Sequence, residues 1–429
     1  MIRLVCSIVA IVLCVWKVFN WAWWKPRRLE RYFRKQGIRG PPYRLIHGNV
    51  AENGAASLEA KAKPMNGFTH SIVPRVLPFL HQTVQKYGNL SIFWVGGNPR
   101  VDIMNPDLVR DVLLNKFGYF TKMKPNPVVK LFVTGLVSYN GGKWSKHRKI
   151  INPAFHHEKL KLMMPAFYTS CGELISRWNK LALEGSFELD IAPELQSLTE
   201  DVISRTLFGR NYQVGRQIFE LQTEQQDLLF QSSQFAYIPG QETTATLLLW
   251  TIVLLSMHQE WQEHAREEVL RAFEKNQPDF DGLSHLKLMS MILYEVLRLY
   301  PPFPLLTRFT SKKAKLGEIT FPQGVQVGLP ILLIHHDRDL WGEDVGEFNP
   351  TRFSGGISKA TKNKVSYFPF GWGPQICIGL QFALIEVKIA LTMILQRFYF
   401  KLSPTYVHAP HAVLTLQPQH GAPIVFCKR

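Results

Sequence analysis

A mainly α protein with a small β-sheet region, carried behind an N-terminal membrane anchor, is what the sequence predicts, and three observations predict it. Apolar residues recur at helical spacing along most of the chain, strand-like alternation is confined to short patches, and one long apolar run stands at the N-terminus. With 429 residues, 46% of them hydrophobic and 19% charged, the chain is too apolar for intrinsic disorder and long enough for a large buried core. No block repeats at a fixed period, which argues against a solenoid. Cys6, Cys14, Cys171, Cys377 and Cys427 form an odd set without a CxxC pair, so neither a disulfide framework nor a zinc finger is expected.

From the N-terminus, Leu4 to Trp24 reads LVCSIVAIVLCVWKVFNWAWW, which as a helix is long enough to cross a hydrocarbon core of about 30 Å, with the Lys17 stem able to snorkel. Trp21, Trp23 and Trp24 suit the membrane interface. A cleaved signal peptide would show a shorter apolar core and a small-residue cleavage site, whereas this run ends in tryptophans and then Lys25-Pro26-Arg27-Arg28. Residues 1–24 therefore read as a single-pass transmembrane anchor. Residues 25–50 read as a basic, Pro-rich linker with a stiff break at Gly40-Pro41-Pro42. The net charge of +17 comes from 50 Lys and Arg against 33 Asp and Glu. Much of it lies in Lys25, Arg27, Arg28, Arg31, Arg34, Lys35, Arg39 and Arg44, opposed only by Glu30. Such a cluster directly after an apolar span keeps the body of the protein on the cytosolic side of a lipid membrane, and no nucleic-acid partner is expected.

Residues 51–429 read as the globular domain. Helical spacing runs through Val76–Tyr87, Asp107–Lys116, Trp144–Ile151, Lys159–Leu181, Pro193–Phe208 and Arg216–Phe235, then Gln241–His258, Glu260–Lys275, Met289–Tyr300 and Ile378–Phe398. Leu90–Val95, Arg100–Met104, Phe187–Ile191 and Gly324–Leu329 read as strands, with turns at Gly96-Gly97-Asn98-Pro99 and Phe321-Pro322-Gln323-Gly324. The last helix is apolar almost all round, so its expected place is the centre of the domain.

Directly before that helix stands Phe368-Pro369-Phe370-Gly371-Trp372-Gly373-Pro374-Gln375-Ile376-Cys377-Ile378-Gly379. A cysteine at a glycine-rich turn opening a helix is a candidate for a lowered pKa, since free N–H groups and the helix dipole favour a thiolate, and glycines let a planar ligand approach the backbone. Taken alone, a cysteine in apolar sequence is more often a small core residue.

The pattern Phe370-x-x-Gly373-x-x-x-Cys377-x-Gly379 strongly resembles the cytochrome P450 family of haem-thiolate monooxygenases, and the wording around it is similar to the plant secologanin-synthase-like group. The resemblance implies that Cys377 is the proximal ligand of the haem b iron, with Phe370 beside its loop and Gly373 and Gly379 permitting the turn. It continues in Glu295-Val296-Leu297-Arg298 and in Arg352 of Phe348-Asn349-Pro350-Thr351-Arg352-Phe353, similar to the family's buried Glu-Arg-Arg network, which is structural and makes no bonds to substrate. Read without the family, Glu295 and Arg298 are a surface i,i+3 pair. Trp144 and Arg148, four apart, and Arg308 after Pro301-Pro302-Phe303-Pro304 resemble contacts to haem propionates. Gln375 departs from the pattern: the family carries Arg there, and a neutral amide removes a charge-assisted bond of about 1.5–3 kcal/mol.

Ile238-Pro239-Gly240-Gln241-Glu242-Thr243-Thr244 resembles the family's acid-alcohol pair, in which Glu242 and Thr243 relay protons to bound dioxygen; by itself it also reads as a plain helix start. Its flanks imply an internal gap at about 240/241. The chain resembles the family to the end of its F helix and resumes midway along its I helix, so the expected fold is a cytochrome P450 fold truncated between those points. Losing the helices between exposes the faces they covered, at a cost on the order of 10 kcal/mol for several hundred Å2 of apolar surface.

The resemblance implies a monooxygenase that uses O2 and takes electrons from NADPH through NADPH-cytochrome P450 reductase. The implied substrate is a lipophilic small molecule of terpenoid type, and the implied address is the endoplasmic reticulum. Two alternatives stand beside it. One is a catalytically inactive truncated splice product or degenerate copy that keeps the anchor. The other is a haem-thiolate isomerase, disfavoured because it needs no Glu242-Thr243 relay.

Overall fold

Two segments apolar on almost every face, Gly240–Met257 and Leu380–Leu395, form helices at the centre of the molecule, where nearly every side of them meets protein. The computed structural model describes residues 2–65, 67–123, 134–182, 185–232 and 240–428. Its helices of eight or more residues are α1 (Ile2–Phe19), α2 (Lys25–Arg34), α3 (Val50–Ala62), α4 (Pro78–Tyr87), α5 (Pro106–Leu114) and α6 (Gly141–Ile151). They continue as α7 (His157–Leu181), α8 (Ile191–Phe208), α9 (Tyr212–Ser232), α10 (Gly240–Met257), α11 (Gln259–Phe273), α12 (Lys287–Leu299) and α13 (Leu380–Leu395). Helix α10 packs on α8, α12 and α13, and the core cluster runs through all four. The chain is mainly helical, as the spacing predicts. The helix expected over Ile378–Phe398 is shorter at both ends because Gly379 caps it and Phe398 already belongs to a strand.

The minor sheet lies to one side. Strands β1 (Leu90–Val95) and β2 (Asn98–Ile103) form a hairpin about Gly96-Gly97, with Gly96 at φ +57, and Phe120–Thr121 is β3. Ser186–Asp190 is β4 and Leu306–Thr310 is β5, while Ala314–Leu316 and Ile319–Phe321, β6 and β7, make a small hairpin. With β8 (Gln326–Leu329) the larger sheet has the order β1-β2-β8-β5-β3, its β2–β8 pair being parallel. At the C-terminus β9 (Phe398–Leu402), β10 (Pro410–Ala412), β11 (Leu416–Pro418) and β12 (Pro423–Lys428) follow, and β12 pairs with both β4 and β9. These last strands and α3 had no counterpart in the sequence reading. Helix α3 buries none of its residues, so it carries no apolar stripe, and β10 and β11, at three residues each, are too short to show alternation.

The anchor and its linker differ from expectation. No break separates them: α1 passes through a π-helical turn at Asn20–Trp24 straight into α2, so the first part of the expected linker, Lys25–Arg34, is helix. Leu29, Glu30 and Phe33 of α2 are buried against the domain, and the helix stops before Gly37, at φ +81, ahead of Gly40-Pro41-Pro42. Burial of the Leu29 and Phe33 face explains the helix. A basic segment that reads as solvated linker has one apolar edge, and the domain covers it.

At the other irregular point, Tyr237, Ile238 and Pro239 lie outside the described residues. On α9 the residues Val214, Ile218 and Leu221 share one face and stand exposed, with Leu207 of α8 nearby in sequence also exposed. Among the described residues nothing covers this apolar surface.

Candidate active site

The Cys377 loop is held by its own backbone. Cys377 N–H donates to Phe370 O at 2.9 Å and Ile376 N–H to Gly373 O at 3.1 Å, closing a 3-10 turn over Gly373–Gln375. Gly373 sits at φ +71, and a Cβ there would come within 3.2 Å of Leu113 O, so this position calls for glycine on both counts. Gly379, by contrast, is at φ −86, and a Cβ would lie 3.9 Å from Cys377 Sγ; its turn makes no such demand. Phe370 and Trp372 pack against the core, and among the described residues the Gln375 side chain makes no hydrogen bond or ion pair.

Cys377 is reachable from solvent although most of its surroundings are protein. That burial pushes its thiol above the ordinary cysteine value, against the Gly379 N–H and the Arg148 guanidinium, which pull it down. The expectation of a lowered pKa is corrected here. One N–H and one partly solvated cation do not outweigh desolvation of a thiolate.

Arg148, on α6, donates through Nη1 to Ile376 O at 2.8 Å, so it grips the residue before the cysteine. Arg308, on β5, is pushed down to about 10 by burial and donates to Thr307 O at 2.9 Å. Between them comes Lys122, which the sequence reading missed: burial, with Arg308 and Arg148 as positive neighbours, pushes it down to about 8. Its Nζ lies 5.6 Å from the centre of the Trp144 ring. The available signal was a pair of lysines, Lys122 and Lys124, just after β3 with no acid near them in sequence. Three cations thus converge, and no carboxylate forms an ion pair with any of them among the described residues. Between about pH 8 and 10.5 the unfolded chain holds the Lys122 proton and the folded chain does not, so stability rises with pH across that window. In the haem-free protein Lys122→Met is expected to reduce the rise, read from urea midpoints at about pH 7 and about pH 10. An unchanged pH slope would sink the assignment.

Glu295, Arg298 and Arg352 do come together. Arg298 reaches Glu295 with two bonds of 2.7 Å, both side chains fully buried, and also donates to His335 O, Val345 O and Glu347 O. Arg352 Nε stands 3.7 Å from Glu295, and its other nitrogens hold Asp344, whose carboxyl they lower. His335 joins this network to the cysteine loop. Its Nδ1–H donates to Arg298 O and its Nε2 accepts Phe368 N–H, each at 3.2 Å, and burial pushes the ring down to about 3, keeping it neutral. Sequence alone offered only a histidine in an apolar stretch. Replacing His335 by leucine orphans both backbone groups, an expected loss of about 1–3 kcal/mol in unfolding free energy. His335→Gln, which can donate and accept, recovers part of it.

Glu242 and Thr243 lie in the first turn of α10. The Glu242 carboxylate accepts from Thr415 Oγ1 at 2.5 Å, and Gln417 Nε2 donates to both Thr415 and Thr246. The acid is therefore tied to the C-terminal hairpin. A cavity of about 550 Å3 adjoins the cysteine loop, walled by Phe370, Trp372, Ile376, Leu293, Leu297 and Leu384; none of Cys377, Arg148, Arg308, Glu242 or Thr243 lines it.

The exposed Cys377 thiol next to Arg148, with Lys122 adjoining that arginine and Arg308, fits the haem that the sequence resemblance implies. Among the described residues no three His, Cys, Asp or Glu side chains gather as a metal site, so a metal at Cys377 must bring its other ligands with it, as haem iron does. The positive charges of Arg148, Arg308 and Lys122 suit an anionic group. The family model for cytochrome P450 matches residues 64–239 and 235–419.

The chain belongs to the cytochrome P450 family. Cytochrome P450 CYP72A616 of Paris polyphylla is 48% identical over 488 aligned positions, covering 95% of this chain and 94% of the relative. Cytochrome P450 CYP72A219 of Panax ginseng is 45% identical, covering 98% and 97%, and secologanin synthase 1 of Catharanthus roseus is 42% identical over 508 positions, covering 98% and 97%. These alignments are longer than the 429 residues of the chain, so each P450 relative carries internal residues with no counterpart here. The two matched stretches of the P450 model meet at 235–239, beside the boundary expected at about 240/241.

Proposed function

We propose that this chain is a membrane-anchored haem-thiolate monooxygenase that inserts one atom of O2 into a lipophilic substrate of terpenoid type, with electrons from NADPH-cytochrome P450 reductase at the endoplasmic reticulum. The observation that carries this reading is the accessible Cys377 thiol beside Arg148, Lys122 and Arg308 without an opposing acid. Haem held there supplies the activation of O2. Cys377 would hold the iron, Arg148, Arg308, Lys122 and Trp144 would receive the propionates, and Arg148 would also fix the loop through Ile376 O. Glu295, Arg298 and Arg352, joined by His335, would keep the loop in place without touching substrate. Glu242 would carry the proton, its Oε1 positioned by Thr415 and Gln417, with Thr243 as the neighbouring hydroxyl. The relatives named secologanin synthase support the terpenoid class.

A second reading is favoured by a specific observation. The exposed Val214, Ile218 and Leu221 face of α9, next to the point where the matched stretches meet, suits an inactive truncated form that keeps anchor and fold. The reduced, carbon-monoxide difference spectrum of the full chain in membranes decides between them. A thiolate-type Soret band supports the enzyme. Its absence, with rescue when the internal segment of a relative is inserted at 240/241, supports the truncated form.

A further inference from the structure

Pro26 has no N–H, and its ring presses on the carbonyl four residues back, that of Ala22. The helix responds with the π turn, in which Lys25 N–H donates to Asn20 O, and Ala22 O takes a hydrogen bond from outside the helix: Tyr43 Oη–H donates to it at 2.7 Å. The same hydroxyl accepts Ile46 N–H at 3.0 Å. One buried tyrosine thus bonds the end of the anchor to the turn at Leu45–Ile46.

Both partners are fixed in turn to the sheet. The Tyr43 ring packs edge-on against Trp94, 5.1 Å between centroids, and Asn49 N–H donates to Trp94 O at 2.8 Å while Asn49 Oδ1 accepts Trp94 N–H at 3.1 Å. On the other side, a Cβ at Gly97 in the β1–β2 turn would lie 3.6 Å from Trp21 O and 3.8 Å from Pro26 Cγ, so that turn touches the anchor directly. The anchor end is held between two turns of the domain.

This arrangement leaves Leu45 and Ile46 about half exposed, as are Trp21 and Trp24 at the end of the anchor. Ile46 stands at φ +65, a left-handed conformation that a β-branched residue avoids. Facing water, two apolar side chains on a strained turn have no compensation; facing the interfacial region of a bilayer, they bury apolar surface next to an aromatic belt. Lys25, Arg27, Arg28, Arg31 and Arg44 flank the same region in sequence and match anionic headgroups.

We propose that the Leu45–Ile46 turn is a second membrane contact, seated in the headgroup region of the leaflet that holds Trp21–Trp24, and that Tyr43 locks it to the anchor so that anchor and domain meet the bilayer as one body. This rests on the reading of residues 1–24 as a membrane anchor. The test uses the full chain in nanodiscs of phosphatidylcholine and phosphatidylserine containing a phospholipid with a diazirine near the head of its acyl chain, with photoadducts mapped by mass spectrometry. The peptide carrying Leu45–Ile46 is expected to label at least tenfold above that carrying Leu162, which is 72% exposed on α7, and within about threefold of that carrying Trp21–Trp24. Tyr43→Phe is expected to lower labelling at Leu45–Ile46 at least threefold and leave Trp21–Trp24 unchanged. Labelling at Leu45–Ile46 no greater than at Leu162, with Trp21–Trp24 labelled, overturns the second contact. Unchanged labelling in Tyr43→Phe overturns the lock. Absence of label from both stretches overturns the anchor reading and the proposal with it.

Discussion

Cys377→Ala abolishes the thiolate-type Soret band of the reduced carbon-monoxide complex and leaves the fold standing: that is the expected result, and the separation of the two effects is its content. The loop is closed by backbone bonds, among them Cys377 N–H to Phe370 O, while the exposed sulfur takes only the Gly379 N–H within it. Removing the sulfur therefore changes unfolding free energy by no more than about 0.5 kcal/mol. Haem iron held as proposed would lose Cys377, its protein ligand, and among the described residues no group of three His, Cys, Asp or Glu offers another metal site. Paired measurement of the spectrum and the thermal midpoint checks both halves. A retained Soret band in the alanine variant would show that iron is held elsewhere, and the assignment of Cys377 would fall.

Glu295→Gln does the reverse. The carboxylate takes two 2.7 Å bonds from Arg298 and one of 3.0 Å from Asn349 N–H, with Arg352 at 3.7 Å, all around a fully buried group. Substituting an amide keeps the shape and removes the negative charge, so Arg298 is left buried without its counter-ion. Breaking a buried pair from one side costs about 3–5 kcal/mol, a large part of the roughly 5–15 kcal/mol that keeps a domain folded. The expected outcome is loss of most of the folded protein at 37 °C, seen as a collapse of the unfolding midpoint and of protease resistance across the whole domain. A change below about 1 kcal/mol would mean that Arg298 is satisfied by His335 O, Val345 O and Glu347 O alone.

The two variants also separate what could be read early from what could not. Ile2–Phe19 was legible as part of one unbroken apolar run, α10, α12 and α13 because apolar residues recur in them at helical spacing, and β1 because a clear turn signal follows it. The Cys377 motif and the Glu295, Arg298 and Arg352 set were legible as residues of a known pattern. The direction of the Cys377 pKa was not. It depends on how much protein surrounds the sulfur, and no local run of sequence records that. Lys122 and His335 were invisible for the same reason: each acts by meeting groups far away in sequence, Lys122 beside Arg308 and His335 between Arg298 and Phe368.

At the N-terminus the division is sharpest. Composition determined that residues 4–24 are apolar enough to span a membrane and that a basic cluster follows them; Pro26 determined that a helix carbonyl would be left free. Only the tertiary structure decided that the segment after the anchor is helix packed on the domain, and that the freed carbonyl of Ala22 is claimed by Tyr43. The physical reason is common to all these cases. Periodicity and backbone chemistry are properties of neighbours along the chain, whereas desolvation, ion pairing and the capture of orphaned polar groups depend on which distant residues the fold brings within about 3 Å.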